Sequence, residues 1–140
     1  MNNMSRAAKT QPGDKLPERQ FQVDNVQLFL YNAALWNAHR IHYDHSYACE
    51  VEGYPGLVIA GPLMGDWLGQ CVMEWLDGEG ELESLEYSNR RAAYVGETLY
   101  SGGSVVSTDP VRGTVTFELF VKNENGEVIL PGNAVVRLAQ

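Results

Sequence analysis

Gly61-Pro62-Leu63-Met64-Gly65-Asp66-Trp67-Leu68-Gly69-Gln70-Cys71-Val72-Met73-Glu74-Trp75-Leu76 decides the fold. Gly61 suits an N-cap and Pro62 the first helical position, where its missing N–H costs nothing. Read by fours, Leu63, Trp67, Cys71 and Trp75 form one row, and Met64, Leu68, Val72 and Leu76 the next. Gly65, Gly69 and Met73 form a third, and Asp66, Gln70 and Glu74 are the only polar row. An apolar surface this wide predicts a mostly enclosed helix. Gly65 and Gly69 each cost about 1 kcal/mol of helix propensity relative to Ala. Close backbone approach to a sheet or a partner helix is the compensation expected of them. Trp67, Trp75, Met64 and Met73 are assigned to core or dimer-interface packing. Gly78 and Gly80 end the helix.

Downstream the period shortens to that of strands. Ser84 to Tyr87, Thr98 to Thr108, Thr114 to Lys122 and Val128 to Leu138 are the expected strands, with the third alternating best. Asn123-Glu124-Asn125-Gly126 is a hairpin turn. Pro131-Gly132 predicts a bulge or an edge position. Upstream, Asp24 caps a helix from Asn25 to about Leu35, with Val26, Phe29, Leu30, Ala33 and Ala34 on one face. Residues 1–19 are mostly polar and carry Pro12, Gly13 and Pro17, the pattern of a flexible leader. Residues 20–140 then form a single α+β domain, with an antiparallel sheet against one long helix.

Composition narrows the function. The chain has 140 residues, 10 basic against 18 acidic, for a formal net charge of −8. Such a balance argues against nucleic acid or an anionic membrane as partner, and any anionic ligand needs a local cluster of donors. Cys49 and Cys71 are the only cysteines, too few for a disulfide framework or a cysteine zinc site. The first residues carry Arg6 and Lys9 but no apolar core of a signal peptide, so a cytoplasmic location is expected.

Leu35-Trp36-Asn37-Ala38-His39-Arg40-Ile41-His42-Tyr43-Asp44 resembles the hydratase motif of the MaoC-like, hot-dog-fold acyl-CoA hydratases. Glu52-Gly53-Tyr54-Pro55-Gly56-Leu57-Val58-Ile59-Ala60-Gly61-Pro62-Leu63 continues the match. Within it, the stretch is similar to the mesaconyl-, itaconyl- and methylfumaryl-CoA hydratase-like proteins, in their C-terminal hot-dog half. The resemblance implies a sheet wrapped around the central helix and two such units paired, as a homodimer or as a heterodimer or tetramer with another hot-dog chain. It implies hydration or dehydration across the α,β bond of an acyl-CoA thioester, with no cofactor besides that thioester substrate. His42 falls on the family's catalytic histidine. Asn37 stands where the broader family has Asp, although the related branch resembles this chain in having Asn there, and Ala60 stands where the family usually has His.

Hydration needs a base for water, an acid for Cα and stabilisation of enolate charge on the thioester oxygen. His42 titrates near neutrality; its alternative is a hydrogen-bonded structural histidine. Asn37 cannot take a proton but can orient water or the imidazole. Gly61 at a helix N-terminus offers free N–H groups and the positive dipole end; its alternative is a cap alone. Asp44 and Glu52 are candidates to replace the missing carboxylate, with turn roles as the alternative. Arg40, Arg90 and Arg91 are candidates for CoA phosphates, and Tyr43 joins Arg40 and Arg91 as an expected substrate contact. His39, His42 and His45 rotate off a single helix face, so no metal site is expected. A non-catalytic hot-dog subunit completing a partner's pocket is the second reading, and the sequence motif argues against a thioesterase.

Overall fold

The structure is a computed structural model and describes residues 6–140. Helix α1 spans Arg6–Lys9, β1 Lys15–Gln22 and α2 Asn25–Ala34. A 3-10 turn at Arg40–His42 and a π turn at Tyr47–Val51 follow. Then come α3 (Gly61–Leu76), β2 (Gly80–Tyr87), β3 (Thr98–Asp109), β4 (Thr114–Asn123) and β5 (Val128–Leu138). The five strands form one antiparallel sheet in the order β1-β3-β4-β5-β2. It curves around α3, which touches every strand.

Helix α3 has the predicted faces. Leu63, Met64, Trp67, Leu68, Cys71, Val72 and Leu76 are buried, while Asp66, Gln70 and Glu74 face solvent. Its N-cap is Ala60, so Gly61 is the first helical residue instead of the cap. Asp77 takes the left-handed conformation at its C-terminus, φ 48, followed by Gly78 at φ 76. The helical glycines meet the sheet: a Cβ on Gly65 would overlap the Tyr87 ring, and one on Gly69 would touch Leu85 at 3.6 Å. Both neighbours belong to β2, so of the two compensations expected the sheet takes this face. One chain thus covers most of the helix, with Met73 left exposed. Trp67 stacks on Phe21 at 4.0 Å, and Trp75 meets Phe117 edge-on at 4.9 Å.

Residues 15–19 of the expected leader are part of the sheet. Strand β1 pairs with β3 from Lys15 to Gln22, and Leu16 is buried. Ahead of it, Arg6 lies over the Trp75 ring at 4.2 Å and donates to Leu76 O at 2.8 Å, to Trp75 O and to Glu79. Trp75 O and Leu76 O belong to the last turn of α3, where carbonyls lack intrahelical partners and a cation complements the dipole. Residues 1–5 of the leader reading lie outside the described residues. The strand is hard to read because Lys15-Leu16-Pro17-Glu18-Arg19-Gln20-Phe21-Gln22 holds two large apolar residues and a proline. An edge strand tolerates that composition.

Asp24 caps α2 as expected, accepting from Gln27 N at 2.7 Å. The buried face differs. Leu28 and Asn32 point inward, whereas Val26, Phe29 and Leu30 are more than half exposed. Periodicity identifies a helix and its stripe but not which side finds the core. Pro131-Gly132 is neither a bulge nor on an edge strand, since β5 lies between β4 and β2. The β2 ladder ends at Tyr87 opposite Gly132, and Ser88 N donates to Pro131 O at 3.0 Å. A residue's N–H and C=O point the same way in an antiparallel strand. The donor Pro131 lacks would therefore face the β2 side, where the ladder stops. Among the described residues, no helix is long and apolar enough to cross a membrane.

Candidate active site

His42, Val58, Ile59, Gly61, Met64, Asn89, Arg90, Arg91 and Ala92 line a cavity of about 270 Å³ at the start of α3. His42 closes the 3-10 turn and is buried, at 8% exposure. Its Nδ1 lies 2.6 Å from Val58 O. A carbonyl only accepts, so Nδ1 carries the proton and Nε2 keeps a lone pair. Burial pushes the His42 pKa below its ordinary 6.5; the Val58 carbonyl opposes this and nearby His39 adds to it. The ring is therefore neutral at pH 7, as a proton acceptor must be.

The helix start supplies the second ingredient. Gly61 N–H has no protein acceptor among the described residues, Pro62 has no N–H, and Leu63 N donates to Ala60 O at 3.1 Å. One open donor thus remains on the positive end of α3, beside the neutral imidazole. The tail of β2 closes the other wall: Arg90 N and Arg91 N both donate to Ile129 O. The Arg91 guanidinium pairs with Glu127, and Arg90 Nε donates to Ser88 Oγ at 3.1 Å.

Of the expected site residues, His42, Gly61 and Arg91 come together here. Asn37, Arg40 and Tyr43 do not line this cavity. The Asn37 side-chain oxygen accepts from His39 N at 3.1 Å, an Asx turn that shapes the approach to His42. Asn37 and Tyr43 instead border a separate groove of about 380 Å³ with Phe29, Asn32, Ala33, Trp36 and Ala38. Tyr43 OH donates to Ala38 O at 3.1 Å. Arg40 pairs with Asp44 at 2.8 Å and lies over the Tyr47 ring at 4.2 Å. That contact holds the Asp44 carboxyl below its usual range, helped by a bond from Tyr47 N. Glu52 accepts from Tyr47 OH at 3.1 Å. Asp44 and Glu52 thus serve the loop, and no carboxylate lines the His42 cavity. The described residues hold no cluster of three His, Cys, Asp or Glu side chains arranged for a metal ion.

Sequence reasoning missed Val58, Ile59, Met64, Asn89 and Ala92 as wall residues. The available signal was the run of donors Ser88-Asn89-Arg90-Arg91 immediately after a strand.

The sequence profile of a family described as hydroxyacyl-thioester dehydratase type 2 matches residues 1–95. The chain is 62% identical over 37 residues to a mesaconyl-C(4)-CoA hydratase of Chloroflexus aurantiacus, covering 26% of this chain and 13% of that protein. It is 31% identical over 101 residues to a mitochondrial hydroxyacyl-thioester dehydratase type 2 of Saccharomyces cerevisiae, covering 72% of this chain and 34% of that one. The chain therefore spans about a third or less of either relative's length. The unliganded R-hydratase PhaJ1 of Pseudomonas aeruginosa superposes with a TM-score of 0.86 at 18% identity, covering 96% of this chain and 85% of that one. The shared architecture is the hot-dog fold, as the motif implied.

Proposed function

The chain belongs to the hydroxyacyl-thioester dehydratase type 2 family, and from that membership we propose that it adds water to, or removes it from, the α,β bond of an acyl-CoA thioester. The carrying observation is the neutral His42, locked through Nδ1 on Val58 O with Nε2 open beside the free Gly61 N–H. In the hydration direction, Nε2 takes a proton from water as the oxygen attacks Cβ. The displaced electron pair reaches the thioester oxygen, where Gly61 N–H and the helix dipole meet the charge. With no carboxylate in the cavity, the imidazolium returns its proton to Cα, so base and acid are one group. Arg90 and Arg91 at the rim offer charge to the anionic end of CoA.

The test is a hydration assay on this chain alone with a short panel of enoyl-CoA thioesters, followed from acid to neutral pH. Turnover should rise with pH because only neutral His42 accepts the proton. Its midpoint should lie below 6.5, the direction in which burial moves the ring. No turnover on any thioester would favour the second reading, a non-catalytic hot-dog subunit. Asn37 in the Asp position, with its oxygen held by His39 N, is the observation behind that alternative.

We also propose a second hot-dog unit as partner. Helix α3 does not require one, but α2 leaves Val26, Phe29 and Leu30 in solvent, continuing to Trp36 at 94% exposure. An exposed patch of this kind marks an interaction surface. Sedimentation at micromolar protein should give a dimer or a larger assembly. A monomer would overturn self-association and leave a companion chain as the partner.

A further inference from the structure

A developing enolate oxygen is held best by two converging donors, because one N–H satisfies only one of its lone pairs. Helix α3 offers only one, since Pro62 removes the next N–H and Ala60 O occupies that of Leu63. The start of α3 therefore leaves the second donor position to a group from outside the helix. We infer that Asn89 is that donor, its side-chain amide and Gly61 N–H together binding the thioester oxygen.

Three observations support this placement. First, the Asn89 amide lies directly on Gly61: a Cβ there would overlap Oδ1, the nearest atom, and come within 2.6 Å of Nδ2 and 2.8 Å of Cγ, so the amide has to turn about its last bond to present Nδ2. Second, Asn89 is held in position by its neighbours, with Ser88 N on Pro131 O and Arg90 N on Ile129 O, each at 3.0 Å. Its side chain therefore projects from a fixed stretch of backbone, which lowers the cost of presenting it. Third, the amide makes no hydrogen bond to any described residue, whereas Arg90 is engaged with Ser88 and Arg91 with Glu127. An amide that rotates freely about its last bond can turn Nδ2 toward an oxygen arriving at Gly61. The absence of a side chain at Gly61 acquires a second reason: it leaves room for this amide as well as for the thioester.

The inference rests on the acyl-thioester reading, and the experiment separates the two. A conjugated dienoyl thioester absorbs further to the red when its carbonyl is polarised, so sorbyl-CoA reports the donors directly. The measurement uses His42→Ala, in which bound ligand persists unhydrated, and His42→Ala/Asn89→Ala. Both must show the same circular dichroism and bind sorbyl-CoA in equilibrium dialysis. The expected result is a red shift in the first protein that is reduced or lost in the second. With His42 intact, Asn89→Ala should lower kcat on crotonyl-CoA by about 10²-fold with little change in KM, the size typical of one oxyanion donor. Asn89→Asp should be at least as damaging, because it replaces the donor by an acceptor that repels the charge. An equal red shift in the two proteins would overturn the role of Asn89 and leave the hydratase reading intact. Failure of the His42→Ala protein to bind sorbyl-CoA would overturn the site reading, and this inference with it.

Discussion

Replacing His42 by Ala should lower kcat by about 10²–10⁴-fold and leave KM nearly unchanged, because proton transfer by the ring matters in the transition state more than in the ground state. The imidazole is buried, its Nδ1 proton is taken by Val58 O, and no carboxylate lines the cavity to take over as base. Removing the ring also leaves Val58 O without that bond, so circular dichroism and the melting transition must first match the parent. Asn37→Ala should cost less, since Asn37 shapes the turn through His39 N. Asn37→Asp is more informative. A carboxylate keeps the acceptor that His39 N needs and adds a negative charge at the turn whose His39 ring lies 5.7 Å from that of His42. The His42 pKa should then rise and the acid limb of the pH profile move upward. If folded His42→Ala retains parental turnover, the catalytic assignment fails and the non-catalytic subunit becomes the better reading.

Phe117→Ala should destabilise the chain by about 3–5 kcal/mol, the usual cost of removing a buried aromatic ring. Phe117 is fully buried on β4, pairs with Ala134 of β5 and Val105 of β3, and meets Trp75 of α3 edge-on. Its strand partners Val105 and Ala134 are short and themselves buried, so they reach little of the void. Against a typical total of about 5–15 kcal/mol, that loss leaves a domain close to its unfolding threshold. Urea titration followed by tryptophan fluorescence and circular dichroism measures it. A loss under about 1 kcal/mol would mean that the helix and sheet can close the gap, contrary to the packing described.

The parts legible in the sequence are those with local causes. Helix α3 follows from Pro62 and a wide apolar stripe, and β3 to β5 from alternation and the Asn123–Gly126 turn. That turn is fixed by the Asn123 side chain, which accepts from Asn125 N and Glu127 N. His42 is marked by the motif resemblance and Gly61 by the helix start, and the structure places both on one cavity. The wall contributed by Asn89 is not legible, because it exists only when the Glu86–Asn133 register carries the chain beyond β2 to the start of α3. Strand β1 is obscured for a similar reason. Its burial depends on Leu16 and Phe21 reaching a core assembled from residues far along the chain. The placement of Asn37 turned on a competition between local and distant partners, and the N–H two residues away prevailed.

Pro131 gives the sheet a border. An antiparallel hydrogen-bonded pair exchanges two bonds, and Ser88 with Pro131 can exchange only one. On one side of that half-pair, backbone donors are committed to rigidity. On the other, the chain leaves the ladder, keeps only the bonds of Arg90 N and Arg91 N to Ile129 O, and lines the cavity from Asn89 to Ala92. Stabilising the sheet by replacing the imino acid would lengthen the zipper by a rung and draw in the segment that forms the wall. Rigidity and reactivity are thus partitioned at a single ring nitrogen, and engineering this scaffold for heat resistance has to leave it in place.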